Sequence, residues 1–167
     1  GIGAFADFNN TQRSRTTFIG AYADANDNDV VVIGFDARGE NDYAIAMGNY
    51  ARARNRGSMS FGYQSNVQGN ESIAIGRQAE VTANNSNAIG YLSSISGANS
   101  VAVGTSTSVT SDNSVAIGYQ ASVASDNEIS IGNTSIATIG GIVNWTATSD
   151  GRFKTQVKED IPGLNFI

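Results

Sequence analysis

Asn99-Ser100-Val101-Ala102-Val103-Gly104 is followed fourteen residues later by Asn113-Ser114-Val115-Ala116-Ile117-Gly118, and two periods before it stands Glu71-Ser72-Ile73-Ala74-Ile75-Gly76. The closing glycine keeps this period along most of the chain, at Gly20, Gly34, Gly48, Gly62, Gly76, Gly90, Gly104, Gly118 and Gly132, with no insertion or deletion. A single globular core has no reason to hold such a ruler. A solenoid does, because each coil must begin where the previous one ended.

The residues around the glycine keep the same register. One before it comes a large apolar residue, as in Ile33, Met47, Phe61, Ile75 and Ile117. Three before it come Val31, Ile45, Met59, Ile73, Val101, Val115 and Ile129, with Thr17 and Asn87 as exceptions. Between these two the residue is small: Ala46, Ser60, Ala74, Ala88, Ala102, Ala116 or Ser130. Alternation with period two predicts a short strand with one bulky and one small face. A second strand follows the glycine, with Ala37, Ala51, Ala79 or Ala121 three residues on and Val67, Val81, Ile95, Val109 or Val123 five residues on. Polar stretches such as Thr110-Ser111-Asp112-Asn113-Ser114 supply the other turn.

One such coil cannot offset the roughly 1–2 kcal/mol that ordering each residue costs. Stacking solves this, since every rung pairs its backbone with the rungs above and below. At about 4.8 Å per rung, the glycine series predicts a rod of roughly 40 Å. The glycine itself reads as a turn with positive φ or a point too tight for a Cβ. The column Ala74, Ala88, Ala102 and Ala116 reads as a smooth outward ladder, and is expected to be the interface of a symmetric homo-oligomer.

Ten basic and fifteen acidic residues leave a net charge of −5, which argues against nucleic acid as a partner. The chain has no cysteine and no histidine. That removes disulfides, a Ser-His-Asp triad and nearly all zinc sites, so no metal or cofactor is expected. Asp24-Ala25-Asn26-Asp27-Asn28-Asp29 lacks the glycine and glutamate spacing of an EF-hand and reads as a polar turn. Arg52, Arg54 and Arg56 form the basic cluster, and their spacing of two puts them on one side of a strand or turn. They are the candidate ligand contacts, suited to a sulfated or sialylated glycan, against a solvated or salt-bridging role. No apolar run reaches the roughly 20 residues of a membrane helix. Gly1 begins partway through a rung, so the sequence reads as a piece of a longer chain whose membrane contacts, if it has any, lie outside it.

The N-S-x-A-x-G rungs resemble the head repeats of trimeric autotransporter adhesins of the YadA type, over roughly residues 17 to 132. The resemblance implies a left-handed parallel β-roll, assembled as a parallel homotrimer and displayed outside a bacterial cell for attachment to host protein or glycan. Ala6, where another glycine would fall, and Thr17 depart from the pattern and suggest a transitional rung. Residues 1–132 are thus expected to be an all-β head of 14-residue coils. Residues 133–148, with Ile136, Ile139, Ile142, Val143 and Trp145, are expected to be a neck joining the chains.

Thr148-Ser149-Asp150-Gly151-Arg152-Phe153-Lys154 resembles the opening of the endosialidase-type intramolecular chaperone domain, peptidase family S74. The family implies Ser149 as nucleophile and Lys154 as base of a self-cleavage that releases the chaperone from a folded trimer. A neutral lysine is a chemically suitable base where histidine is absent. Residues 149–167 are only the start of such a domain, so the chain as given is expected to be catalytically silent. The same tail keeps open a second reading, a receptor-binding segment of a bacteriophage tail fibre or spike. Ice binding is disfavoured because no rung position repeats threonine. A hexapeptide-type acyltransferase would need another period and usually a histidine.

Overall fold

The computed structural model describes residues 15–141. The chain divides into two compact units, Gly1–Ile136 and Ala137–Ile167. The first carries the coils, and residues 137–141 of the second contain no strand. Ala6, Trp145, Ser149 and Lys154 lie outside the described residues.

Among those residues every regular element is a β-strand. Each coil contributes a three-residue strand ending just before the glycine, from Thr17–Ile19 through Ile129–Ile131, and a two-residue strand after it, from Asp24–Ala25 through Ser122–Val123. The three-residue strands stack in chain order into a parallel nine-stranded sheet, and the two-residue strands into a parallel eight-stranded sheet. The register shifts by one period at every step, so Ala74, Ala88, Ala102 and Ala116 are direct neighbours. The parallel solenoid expected from the glycine period is the fold that forms.

The corners pair as thoroughly as the strands. Gly62 N–H donates to the Met47 carbonyl at 2.8 Å, Gln64 N–H to Asn49 at 3.0 Å, and Asn85 N–H to Asn70 at 3.0 Å. The ladder therefore runs around the turns, leaving few backbone groups to find partners elsewhere. Each coil bends through two left-handed residues, one at the second position after the glycine and one seven residues later. Tyr50 (φ 60) and Leu92 (φ 54) hold the first type of corner; Asn85 (φ 55), Asn99 (φ 56) and Asn113 (φ 52) hold the second.

The nine ruler glycines all have positive φ. At Gly48 a built Cβ would stand 2.5 Å from the Gly62 carbonyl oxygen, and at Gly62 2.5 Å from that of Gly76. Both reasons for glycine apply together: the backbone angle excludes L-residues, and the neighbouring rung fills the space of a side chain.

The alanine ladder corrects the expectation of an inter-chain surface. Ala74, Ala88, Ala102 and Ala116 are fully buried within the chain, in one apolar cluster with Val67, Val81, Ile95, Val109 and Val123. The small face of the three-residue strand points inward and the bulky face outward. Two sheets joined by such short corners enclose a thin interior. Alanine fits there opposite the valine or isoleucine of the second strand, and a pair of large side chains would not. The same limit shows at Gly39, which occupies the inward position held by Ala25, Ala53 or Val67 in other coils. A Cβ there would run into Val30, whose own position is serine in later rungs.

The interior is divided. Ala23 to Ala53 form one apolar cluster and Val67 to Val123 another. Between them lie Ser58, Ser60 and Ser65, all buried, with the Ser60 and Ser65 hydroxyls 2.6 Å apart.

Candidate functional site

With the interior closed, function lies on outward positions, and the coil presents three kinds. The outer face of the nine-stranded sheet carries the bulky residues one and three before each glycine. Ile75, Ile89 and Ile117 are 41%, 40% and 42% exposed, and Val101, Val103 and Val115 are partly exposed beside them. The result is an apolar stripe running with the stack, interrupted by Thr17 and Asn87. Soluble monomers rarely leave such a continuous face uncovered.

The glycine corner carries an aromatic series. Tyr22, Phe35, Tyr50 and Tyr63 meet edge to face, with centroids 5.5, 5.5 and 6.0 Å apart. The Arg77 guanidinium continues the line, 5.8 Å from the Tyr63 ring and 5.4 Å from the Tyr91 ring. This series was hidden in the sequence because it shares no single column. Phe35, Tyr63 and Tyr91 follow a glycine directly, whereas Tyr22 and Tyr50 stand one residue further on. Only the corner geometry brings the two positions to one edge.

The outer face of the eight-stranded sheet is polar. Arg38, Arg52 and Asn66 are in-register neighbours there, and Arg54 follows Arg52 on the same side. Of the three candidate arginines, the structure brings two together. Arg52 and Arg54 line a depression of about 270 Å³ with Tyr50, Gln64, Ser65 and Asn66. Arg56 sits apart, pairing with Glu71 at 3.4 Å and lying over the Tyr43 ring at 5.5 Å. Arg38 is held by Asp36 at 3.0 Å. At the N-terminal end Arg15 bonds Asp29, and that hydrogen bond holds the Asp29 carboxyl below its usual range and raises the guanidinium.

The geometry has a close parallel among known proteins. The family described as YadA head domain repeat (2 copies) matches residues 40–65, 53–79, 68–93 and 96–121. The crystal structure of the collagen-binding domain of the Yersinia adhesin YadA is similar, with a TM-score of 0.54 and 25% identity, over 81% of this chain and 68% of that one. No curated protein matches the sequence. Period, parallel topology and matched rungs converge on one description of residues 40–93 and 96–121: a YadA-like head built of repeats.

Proposed function

We propose that the chain is the head of a trimeric, surface-displayed attachment module with no catalytic role of its own. The observation that carries this is the apolar outer stripe of the nine-stranded sheet on a YadA-like head. Three copies packed in parallel along that stripe would bury Ile75, Ile89 and Ile117 around a common axis. The polar sheet and the glycine corners would then face outward three times over. Multivalency follows from the geometry, since identical sites on one rigid rod turn weak contacts into avidity. The occupant of the stripe is a second and third copy of this chain, because equal rungs in register make the surface self-complementary. The ligand is a host-surface protein or glycan, in keeping with the collagen-binding domain of similar fold, and the location is the bacterial exterior.

Replacing Ile75 and Ile89 together by Asp tests the assembly. Both side chains point outward, so circular dichroism of the coil should persist while sedimentation shifts from trimer to monomer. A wild-type monomer, or a double variant that still sediments as a trimer, would overturn the proposal.

The self-cleavage reading of Ser149 and Lys154 rests on sequence alone. In a longer polypeptide running through the following domain, the wild type should yield a product ending at Thr148, and Ser149→Ala should not. Denaturing mass measurement reads this directly, and an uncleaved wild type removes the assignment without touching the head.

A further inference from the structure

We infer that Tyr50, Arg52, Arg54 and Asn66 form a binding site for a sulfated saccharide. The inference rests on the attachment reading above and gives it a ligand class and an address.

Three observations meet at this depression. First, its two guanidiniums have no ion-pair partner among the described residues, and no carboxylate stands in its lining. The acidic neighbours of the region are engaged or displaced: Asp36 holds Arg38, Glu71 holds Arg56, and Glu80 accepts from the Asn66 amide at 3.0 Å. Glu40 shares the column of Arg54 without forming an ion pair to it. Second, Arg54 Nε and Asn66 Oδ1 are the two buried side-chain polar atoms with no hydrogen-bond partner among the described residues, and both belong to this lining. An unpaired buried donor and acceptor each carry a desolvation cost, here left unmet by the chain itself. A small turn of either side chain toward the depression would give the atom a partner, a ligand oxygen accepting from the arginine or a ligand hydroxyl donating to the amide oxygen. Third, Tyr50 borders the same depression and is exposed, so its ring supplies an apolar platform for the face of a sugar.

The combination excludes simpler ligands. An apolar peptide would leave both arginines and the orphan atoms unmet. A neutral sugar would use the ring and the amide and waste the charges. Between acidic sugars, a carboxylate's two coplanar oxygens fill a single guanidinium fork. The three oxygens of a sulfate ester spread over donors that approach from two columns, as Arg52 and Arg54 do. The aromatic series beyond Tyr50 continues along the rod at a spacing of 5.5 to 6.0 Å, giving further sugars of a linear chain a place to lie.

The experiment measures binding of a heparin-derived hexasaccharide, its desulfated counterpart and sialyllactose by calorimetry to the full 167-residue chain. Variants are Arg52→Gln with Arg54→Gln, which keep much of the stems; Tyr50→Asn, which suits the left-handed corner; and Arg56→Gln as control. The sulfated sugar should bind best, weaken about tenfold or more in the double arginine variant, weaken severalfold in Tyr50→Asn, and be unaffected in Arg56→Gln. Equal loss in Arg56→Gln, or no loss in Tyr50→Asn, would mean general attraction of a polyanion and would overturn the site. Tighter binding of sialyllactose, or of the desulfated sugar, would overturn the ligand class. Sedimentation and adhesion of the same variants separate the two readings. A trimer that still adheres but ignores the sulfated sugar sinks this site alone, whereas a monomer that does not adhere sinks the attachment module.

Discussion

At the scale of single residues, glycine does two different jobs in this chain. Gly62 (φ 136) lies where L-residues are excluded, and its missing side chain makes room for the Gly76 carbonyl. Gly57 (φ 63) lies at an ordinary left-handed corner, in the series that Asn85, Asn99 and Asn113 occupy in later coils. Gly62→Ala should therefore cost at least about 2 kcal/mol, from backbone strain and overpacking combined. Gly57→Asn should cost about 1 kcal/mol or less, since asparagine tolerates this angle and the obstructing Glu71 carboxylate can swing away from a weak surface pair. Urea unfolding of the two variants measures the difference, and equal effects would contradict the stacking role of the glycine ladder. The first of these roles was legible from the period. The second was partly legible, because asparagine at a fixed offset is a left-handed signal. The corner at Tyr50, Gln64 and Leu92 carries no such signal, because the rungs above and below impose the angle on side chains that would not choose it.

At the scale of the element, serine turns a stack of short strands into a specified register. The Ser86 hydroxyl reaches the carbonyls of Asn84 and Gly97 at 2.9 and 3.0 Å and accepts the Ser100 N–H at 3.1 Å. Ser100 repeats the pattern one rung on, accepting from Ser114 N–H at 3.1 Å. These hydroxyls are buried, so each strand entry is tied to its neighbours at a fixed offset, and a slipped rung would orphan several groups. Ser86→Ala should cost about 1–3 kcal/mol, the typical consequence of leaving a buried amide without its acceptor. Hydrogen exchange of the Ser100 amide should accelerate more than that of amides several rungs away; uniform protection would show that the ladder does not depend on the hydroxyl. In the sequence these serines read as polar turn residues. Their inward direction was not visible there, because serine is ordinary in a solvated turn and only the closed coil shows which side it faces.

At the scale of the whole molecule, the coil is built with small residues inside and large ones outside. This inversion moves the expected oligomer surface from the alanines to the isoleucines one register position away. The Ile75 and Ile89 double substitution tests that surface at the scale where it acts, through subunit number and not through the stability of one rung. It also leaves the eight-stranded sheet and the aromatic corner as the faces open to a ligand, which is where the sulfated-saccharide experiment is aimed. Of the candidate contacts, Arg52 and Arg54 share one depression and Arg56 does not, although all three are evenly spaced in sequence. The strand Arg52–Ala53 and the residue just after it keep the first two beside one depression, and the chain has turned the corner before it reaches the third.

The sequence by itself determined the period, the strand and turn order, the parallel stacking and the necessity of glycine, because a 14-residue repeat with one special backbone position admits very few ways to close and restack. The tertiary structure alone decided which face of each strand is inside, since alternation marks two faces without saying which is buried, and the thin interior between two closely joined sheets accepts only the small one. It also decided which surface side chains meet, because Asn66 joins Tyr50, Arg52 and Arg54 only when one coil is laid upon the next.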